Sequence, residues 1–359
     1  MAFNSSVVAN ATAHTFTPAA PPQIFEGAYS EDQHARVLDV VRRNGPWKLI
    51  LAENFSTPEE VIATTSGTIP EGITLTWDMI GLNPVFRGYL ARNGTCFYPE
   101  IEDAFFNKKF LDMARAYAGA KYAKPEMMLF NIQGPTPIGG PPHLDGTDFR
   151  GISMDNTPLW LLLTMAKSRL FERWRIKKTQ VVAWYYQGKI GGGFNCWPNG
   201  AAAEPLQINA PMWGRAVVVE NETMFHHGQA CGPVARRRPQ GMDITSTFGA
   251  DPADPTGWQI ETFGKVIQKV PAEEMRLLLH WDSIVYHDDE ELRTALEHKD
   301  DITQEMAINI LIADMKKNGV AFEEPSDPLH DNAFVGLLSQ VYDIGVPTNV
   351  PADAVDETA

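Results

Sequence analysis

The sequence predicts a mainly β core, a sandwich or barrel, set between two helical regions. Three observations lead there. From about Met127 to Phe248 short strand-like runs alternate with Gly, Pro and Asn, the texture of a sandwich or barrel. On both sides of that region apolar residues recur at helical spacing instead. The chain has 359 residues, 44% of them hydrophobic, enough to bury one large core, and neither an internal repeat nor a linker divides it.

The elements follow in order. Residues 1–23 carry no Asp, Glu, Lys or Arg and are rich in Ala, Pro, Ser, Thr and Asn, so they read as a flexible tail. They have neither the positive start nor the unbroken apolar stretch of a secretory signal, and a cytoplasmic location is expected. Ser30 stands three residues before Gln33 as a capping box, Val37, Leu38 and Val41 form an apolar stripe, and Gly45-Pro46 ends that helix. A strand is expected over Trp47–Leu51. A helix capped by Thr57 with Pro58 in its first turn comes next, and another spans Lys109–Ala118.

Within the β region the strand expectations are Met127–Ile132, Leu159–Met165, Gln180–Tyr186, Gly193–Trp197, Arg215–Val219 and Gly241–Phe248. Lys167–Lys178, with six basic residues and one acid, reads as a solvated surface helix or connection. Beyond Phe248 helical spacing returns over Glu273–Trp281, Glu290–His298, Ile302–Asn318 and Phe334–Tyr342. The reading is one domain over 24–345, with its β core at about 127–248, and an acidic tail at 346–359.

Composition narrows the function. Thirty basic against 45 acidic residues give a net charge of −15, which repels phosphate backbones and anionic lipid, so neither nucleic acid nor membrane is expected as a partner. The longest apolar run, Leu159–Ala166, is far below the ~20 residues that span a bilayer. Cys96, Cys196 and Cys231 are too few and too scattered for a disulfide framework or a cysteine-based zinc site. A small-molecule substrate is the expectation; the oligomeric state is left open, with a homodimer as one arrangement.

The chemistry concentrates in His143-Leu144-Asp145. On extended backbone, residues two apart face the same side, so His143 and Asp145 can offer an imidazole nitrogen and a carboxylate oxygen to one ion. A histidine from another strand completes a facial triad of two His and one carboxylate, which leaves positions open on Fe(II). His226 and His227 are both available several strands later and face opposite ways if extended. About ten residues further on, Arg236, Arg237 and Arg238 provide a guanidinium for the far carboxylate of a dicarboxylic co-substrate.

The ordered set His143-x-Asp145, Gly192-Gly193 with Trp197-Pro198-x-Gly200, Gly214-Arg215-Ala-Val-Val-Val, then His226 and a trailing arginine resembles the non-haem Fe(II)/2-oxoglutarate-dependent dioxygenases. The resemblance covers about residues 127–248 and implies a double-stranded β-helix (jelly roll) flanked by N- and C-terminal helices. It implies iron held by His143, Asp145 and His226, with 2-oxoglutarate as co-substrate and O2 as oxidant. Succinate and CO2 would be released as an unactivated C–H bond is hydroxylated, desaturated or closed into a ring.

His226 is preferred to His227 because it follows Met224-Phe225, where the family's ligand closes an apolar strand end. Arg238 is preferred as the 2-oxoglutarate arginine because it shares period-two parity with Met242, Ile244 and Phe248; Arg236 has the same parity. Asn131 is a further co-substrate contact. Arg150, five residues past Asp145, is assigned to a substrate carboxylate, against a structural pairing with Asp148 or Asp155. The long flanks and the tail resemble fungal secondary-metabolite oxygenases, which points to an amino acid or natural-product intermediate as substrate. The alternatives are a cupin-like β-roll that binds a metal or ligand without turnover, and a metal enzyme of the same fold that does not use 2-oxoglutarate.

Overall fold

The computed structural model describes residues 16–65, 73–137 and 140–355. Fourteen strands are described: β1 (Gln23–Glu26), β2 (Trp47–Leu49), β3 (Val85–Arg92), β4 (Thr95–Cys96), β5 (Tyr122–Gln133), β6 (Lys178–Tyr186), β7 (Phe194–Trp197), β8 (Leu206–Ile208), β9 (Met212–Val219), β10 (Phe225–Gly228), β11 (Thr247–Ala250), β12 (Trp258–Thr262), β13 (Lys265–Val270) and β14 (Arg276–Tyr286). The major sheet runs β1-β9-β6-β14-β5-β3-β2-β11-β12-β13, with β4 beside β3, and the minor sheet runs β10-β7-β8. His143 adds a single bridge to the free edge of β10. From β5 onward successive strands alternate between the sheets: β5, the His143 bridge, β6, then β7 and β8, β9, β10 and finally β14. All pairings are antiparallel, and the result is a double-stranded β-helix with helices packed outside it.

Side-chain alternation sorts the strands of the major sheet onto two faces. One face carries Leu277, Leu279, Trp281, Phe130, Val181 and Ala183, which pack with the helices Glu31–Arg43 and Lys108–Ala118 in a single buried cluster. The other face carries Val182, Trp184, Tyr186 and Leu278, which meet Phe194, Cys196 and Met224 from the minor-sheet side. A separate helical cluster joins Leu159–Ser168, Gln304–Lys317 and Asn332–Val341.

Local chemistry explains the helices. Ser30 and Gln33 form the reciprocal capping box, Thr57 accepts from Glu60 N with Pro58 in the first turn, and Asn107 caps the helix that Gly119 ends in the left-handed region at φ 62°. Four strand or helix expectations change. The strand expected over Trp47–Leu51 ends at Leu49, and a short helix, Ile50–Asn54, takes over. Leu159–Met165 is a helix, since an apolar run buried on all sides carries no period with which to separate the two. Of the helix expected over Glu273–Trp281, Arg276–Trp281 is instead the first part of β14, the strand at the centre of the roll between β5 and β6. Gly241–Phe248 forms strand only from Thr247, as β11, out beyond β2. The β core therefore extends well past 127–248 on both sides.

Both expected tails are partly docked. Phe16 is buried with Leu144, Trp197 and Phe225, and Ala19 N donates to Glu220 Oε2 at 2.9 Å. Trp197 Nε1 donates to Asn349 Oδ1 at 3.0 Å, and the Arg237 guanidinium donates to Ala354 O. Residues 1–15 and 356–359 lie outside the described residues.

Gly88 shows how tightly the outer face is packed. It lies on β3 beside Trp47 and Phe130, whose rings meet edge to face with centroids 4.8 Å apart. A Cβ there would come within 2.5 Å of the Trp47 ring and 2.6 Å of Phe130 Cζ. Gly88→Ala should destabilise the fold by about 1–3 kcal/mol, read from the denaturant midpoint; an unchanged midpoint would contradict this packing.

Candidate metal centre

His143 and His226 are a directly bonded antiparallel pair: His143 N donates to His226 O and His226 N to His143 O, both at 3.0 Å. Two residues on, Asp145 N donates to Asn221 O at 3.1 Å, and Asn221 N in turn donates to Gln180 Oε1 at 2.9 Å. The loop carrying His143 and Asp145 is thus stitched to the chain entering β10. Ligand atoms of His143, Asp145 and His226 all lie within 4.8 Å of one another, with His226 Nε2 3.5 Å from Asp145 Oδ1.

The donor set suits a divalent ion. His143 Nδ1 lies 3.1 Å from Pro141 O and His226 Nδ1 lies 3.0 Å from Met224 O, contacts that assign the proton to Nδ1 and leave each Nε2 lone pair free. Asp145 Oδ2 is buried with no hydrogen-bond partner among the described residues, an arrangement that costs free energy and that a bound cation would relieve. His143 keeps one edge open, yet surrounding protein and then the neighbouring His226 push its pKa down to about 4, so it is neutral at pH 7. Burial would raise the Asp145 carboxyl, but the adjacent His226, with His280 and His143, outweighs it and holds the group ionised.

His227 takes the opposite face. Its Nε2 lies 3.0 Å from Asn195 Nδ2 and its ring rests against Trp197, so of the two adjacent histidines the one that meets His143 and Asp145 is His226. Two cysteines are also near: burial pushes the Cys196 thiol up to about 12 and raises that of Cys231, which suits packing and not nucleophilic attack.

An ion network lies behind the triad. Lys178 Nζ is 2.5 Å from Asp148 Oδ2 and 3.5 Å from Glu222 Oε1; an Arg175 nitrogen is 2.9 Å from Glu220 and 3.4 Å from Glu222. These side chains are almost fully enclosed, with Lys178 7% and Glu222 1% exposed. The expected solvated face of Lys167–Lys178 is corrected here: two of its cations turn inward to meet acids on the metal loop and on the turn before β10. Burial, opposed by Lys178 and Arg175, pushes the Glu222 carboxyl up to about 7.

The arginines are placed differently from expectation. Arg238 is exposed, and no strand follows it until Thr247, so the parity argument has no strand to act through. Arg236 pairs with Glu274, and Arg237 donates to Gly232 O and Ala354 O. Arg150 forms a bidentate pair with Asp300, at 3.0 and 2.7 Å, and also donates to Arg173 O; with its guanidinium so engaged, it braces the chain before the Gln304–Lys317 helix and is not free for a substrate. Its acidic partner is neither Asp148 nor Asp155.

The arginine that enters the roll is Arg276, the first residue of β14. It is 2% exposed, donates to Gly192 O at 2.7 Å and Gly193 O at 3.3 Å, and pairs in register with Gln133 and Tyr186. Among the described residues no carboxylate neutralises it. The helical reading of Glu273–Trp281 hid it. The signal was nevertheless present: Arg276, His280 and Asp282 alternate with Leu277, Leu279, Trp281 and Ser283, a strand with one polar and one largely apolar face. Asn131, on the same inner face, pairs with Leu278 and accepts from Arg87 Nε at 2.9 Å.

No family model and no curated protein matches the chain. Solved structures with some likeness include a 2OG-Fe(II) oxygenase-family oxidoreductase from Burkholderia pseudomallei (12% identity, 74% of this chain and 85% of that one, TM-score 0.36). A Trichoplax adhaerens prolyl hydroxylase is 9% identical over 81% of this chain and 92% of its own, TM-score 0.36. HygX from Streptomyces hygroscopicus, solved with nickel, 2-oxoglutarate and hygromycin B, is 8% identical over 79% and 88%, TM-score 0.35.

Two predictions follow from this geometry. Asp145→Ala should weaken Fe(II) or Ni(II) binding by more than the ~10–100-fold typical of losing an outer-shell partner, with the far-ultraviolet spectrum unchanged, whereas His227→Ala should keep metal affinity within about tenfold. Calorimetric metal titration decides between them. Because the native Glu222 carboxyl titrates near 7, above its ordinary 4.5, the native state holds a proton that the unfolded chain releases between those values. The stabilising contribution of this group is full below pH 4.5 and declines as pH rises to 7. Glu222→Gln should flatten that part of the stability profile, and an unaltered slope in denaturant titrations from pH 5 to 7 would refute the assignment.

Proposed function

We propose that this protein is an Fe(II)- and 2-oxoglutarate-dependent oxygenase that oxidises an unactivated C–H bond of a small amino acid or natural-product intermediate. The observation that carries the reading is the convergence of His143, Asp145 and His226 within 4.8 Å, in the same inter-sheet space as Arg276, where among the described residues neither Asp145 Oδ2 nor the Arg276 guanidinium has a counter-charge or polar side-chain partner. A bare metal site would have no use for that arginine. A buried cation without a counter-ion is costly, and a dicarboxylate that reaches from the metal to Arg276 would neutralise it.

In this reading His143, Asp145 and His226 would hold the iron, a donor set of two imidazoles and one carboxylate that suits Fe(II). Arg276 clamps the distal carboxylate of 2-oxoglutarate, its guanidinium aimed by the Gly192 and Gly193 carbonyls. Trp184, Tyr186 and Leu278 form the apolar wall that excludes water from the reacting centre. With iron and co-substrate bound, the chemistry supplied is decarboxylation of 2-oxoglutarate to succinate and CO2 by O2, coupled to oxidation of the substrate. The small-molecule substrate belongs to the same proposal, supported by the net charge of −15, and so does the cytoplasmic setting, supported by three scattered cysteines that form no disulfide; no helix among the described residues is long and apolar enough to cross a membrane.

Anaerobic addition of Fe(II) and then 2-oxoglutarate should develop a weak visible charge-transfer band, and admission of air should yield succinate. If neither appears, the proposal fails. Arg276→Gln should weaken 2-oxoglutarate by about 30-fold or more, as expected when one partner of a buried charge pair is lost. Arg238→Gln should leave its affinity within about twofold.

A further inference from the structure

The inner face of the major sheet carries a second cationic position. Lys48, Arg87 and Asn131 are consecutive cross-strand partners on β2, β3 and β5, and Asn131 is in turn paired with Leu278 of β14 and through it with Trp184 of β6. Directly paired residues share a face, so Lys48 and Arg87 lie on the side that holds the triad and Arg276. Arg87 is half-buried, and among the described residues its guanidinium makes one hydrogen bond, from Nε to Asn131 Oδ1, with no partner for either terminal nitrogen. Among the described residues no carboxylate pairs with either cation. Lys48 is exposed and solvated, so the position rests on Arg87, a half-buried guanidinium on the inner face of the roll with no acid beside it among the described residues.

The position is close to the reaction centre and separate from the co-substrate clamp. β3, β5 and β14 are neighbours, so Arg87 stands two strand spacings, about 10 Å, from β14. His280, one inner-face position along β14 from Leu278, is near enough to feel the charges of both Arg87 and Asp145. Arg276 instead lies one inner-face position the other way, beside Gln133 and Tyr186.

We propose that Arg87, steadied by Asn131 and supported by Lys48, receives the carboxylate of the substrate, so that the enzyme selects small organic acids, free amino acids among them, over their neutral derivatives. This rests on the oxygenase reading above and adds its specificity-determining residue, the role that the structure withdraws from Arg150. A guanidinium fork matches a carboxylate with two parallel hydrogen bonds and offers an amide much less.

The test uses the full chain loaded anaerobically with Fe(II) and saturating 2-oxoglutarate, which occupies Arg276. Each common free L-amino acid and its carboxamide is titrated in, reading the change in the visible band, with succinate release measured on admitting air. At least one acid should perturb the band with its amide about 100-fold weaker, and Arg87→Gln should erase that difference while 2-oxoglutarate affinity stays within about twofold. Arg87→Lys should recover part of the preference. Should the Gln variant fail to fold, seen as loss of the band, Arg87→Lys and Lys48→Gln carry the test, each with reduced acid affinity. Equal binding of acid and amide, a band that no acid perturbs, or loss of 2-oxoglutarate affinity in Arg87→Gln would overturn the inference. Failure of the underlying oxygenase reading is distinct, because the wild-type band would then be missing before any amino acid is added.

Discussion

The reciprocal backbone pair between His143 and His226 is the contact on which the candidate metal centre depends. It joins segments far apart in sequence, sets both imidazoles on one side of the minor sheet, and fixes the parity that brings Asp145 alongside them. Two such bonds are worth only about 1–3 kcal/mol net, too little to hold three ligands in place alone. The register is held because the strands on either side are locked by the two apolar layers of the major sheet, where a one-residue slip would turn Leu277, Leu279 and Trp281 toward the ligand space.

Charge placement follows from the same geometry. The chain is strongly acidic, and a few of its cations lie in or beside the roll. Lys178 and Arg175 answer Asp148, Glu220 and Glu222 behind the metal loop, whereas Arg276 and Arg87 answer no acid among the described residues. A buried ion pair contributes little net stability, but each half is costly to leave alone. The paired set therefore reads as scaffolding for the loop that carries His143 and Asp145, and the unpaired set as guanidiniums whose charge no acid among the described residues offsets.

Much of the site was legible because period-two spacing is a property of extended backbone alone. His143-x-Asp145 needed no tertiary information, and the capping residues Ser30, Thr57 and the stop at Gly119 place helix ends by local hydrogen bonding. The failures share a cause. Leu159–Met165 and Glu273–Trp281 are runs whose apolar content fits either period, and burial on all sides or placement at the centre of a sheet overrode the local preference. Arg238 was chosen on the parity of a strand that does not form there, while Arg276 enters the roll nearly forty residues later.

By itself the sequence determined the residue types: two ligands on one face, a distal histidine pair, an acidic surface, and a β core between helices. It did so because alternation and capping are local. Which of His226 and His227 turns to the metal loop, which arginine loses its water without gaining an acid, and which cations face the cavity were decided only when distant strands paired. Those choices depend on neighbours supplied by another part of the chain, and no spacing within a single segment encodes them.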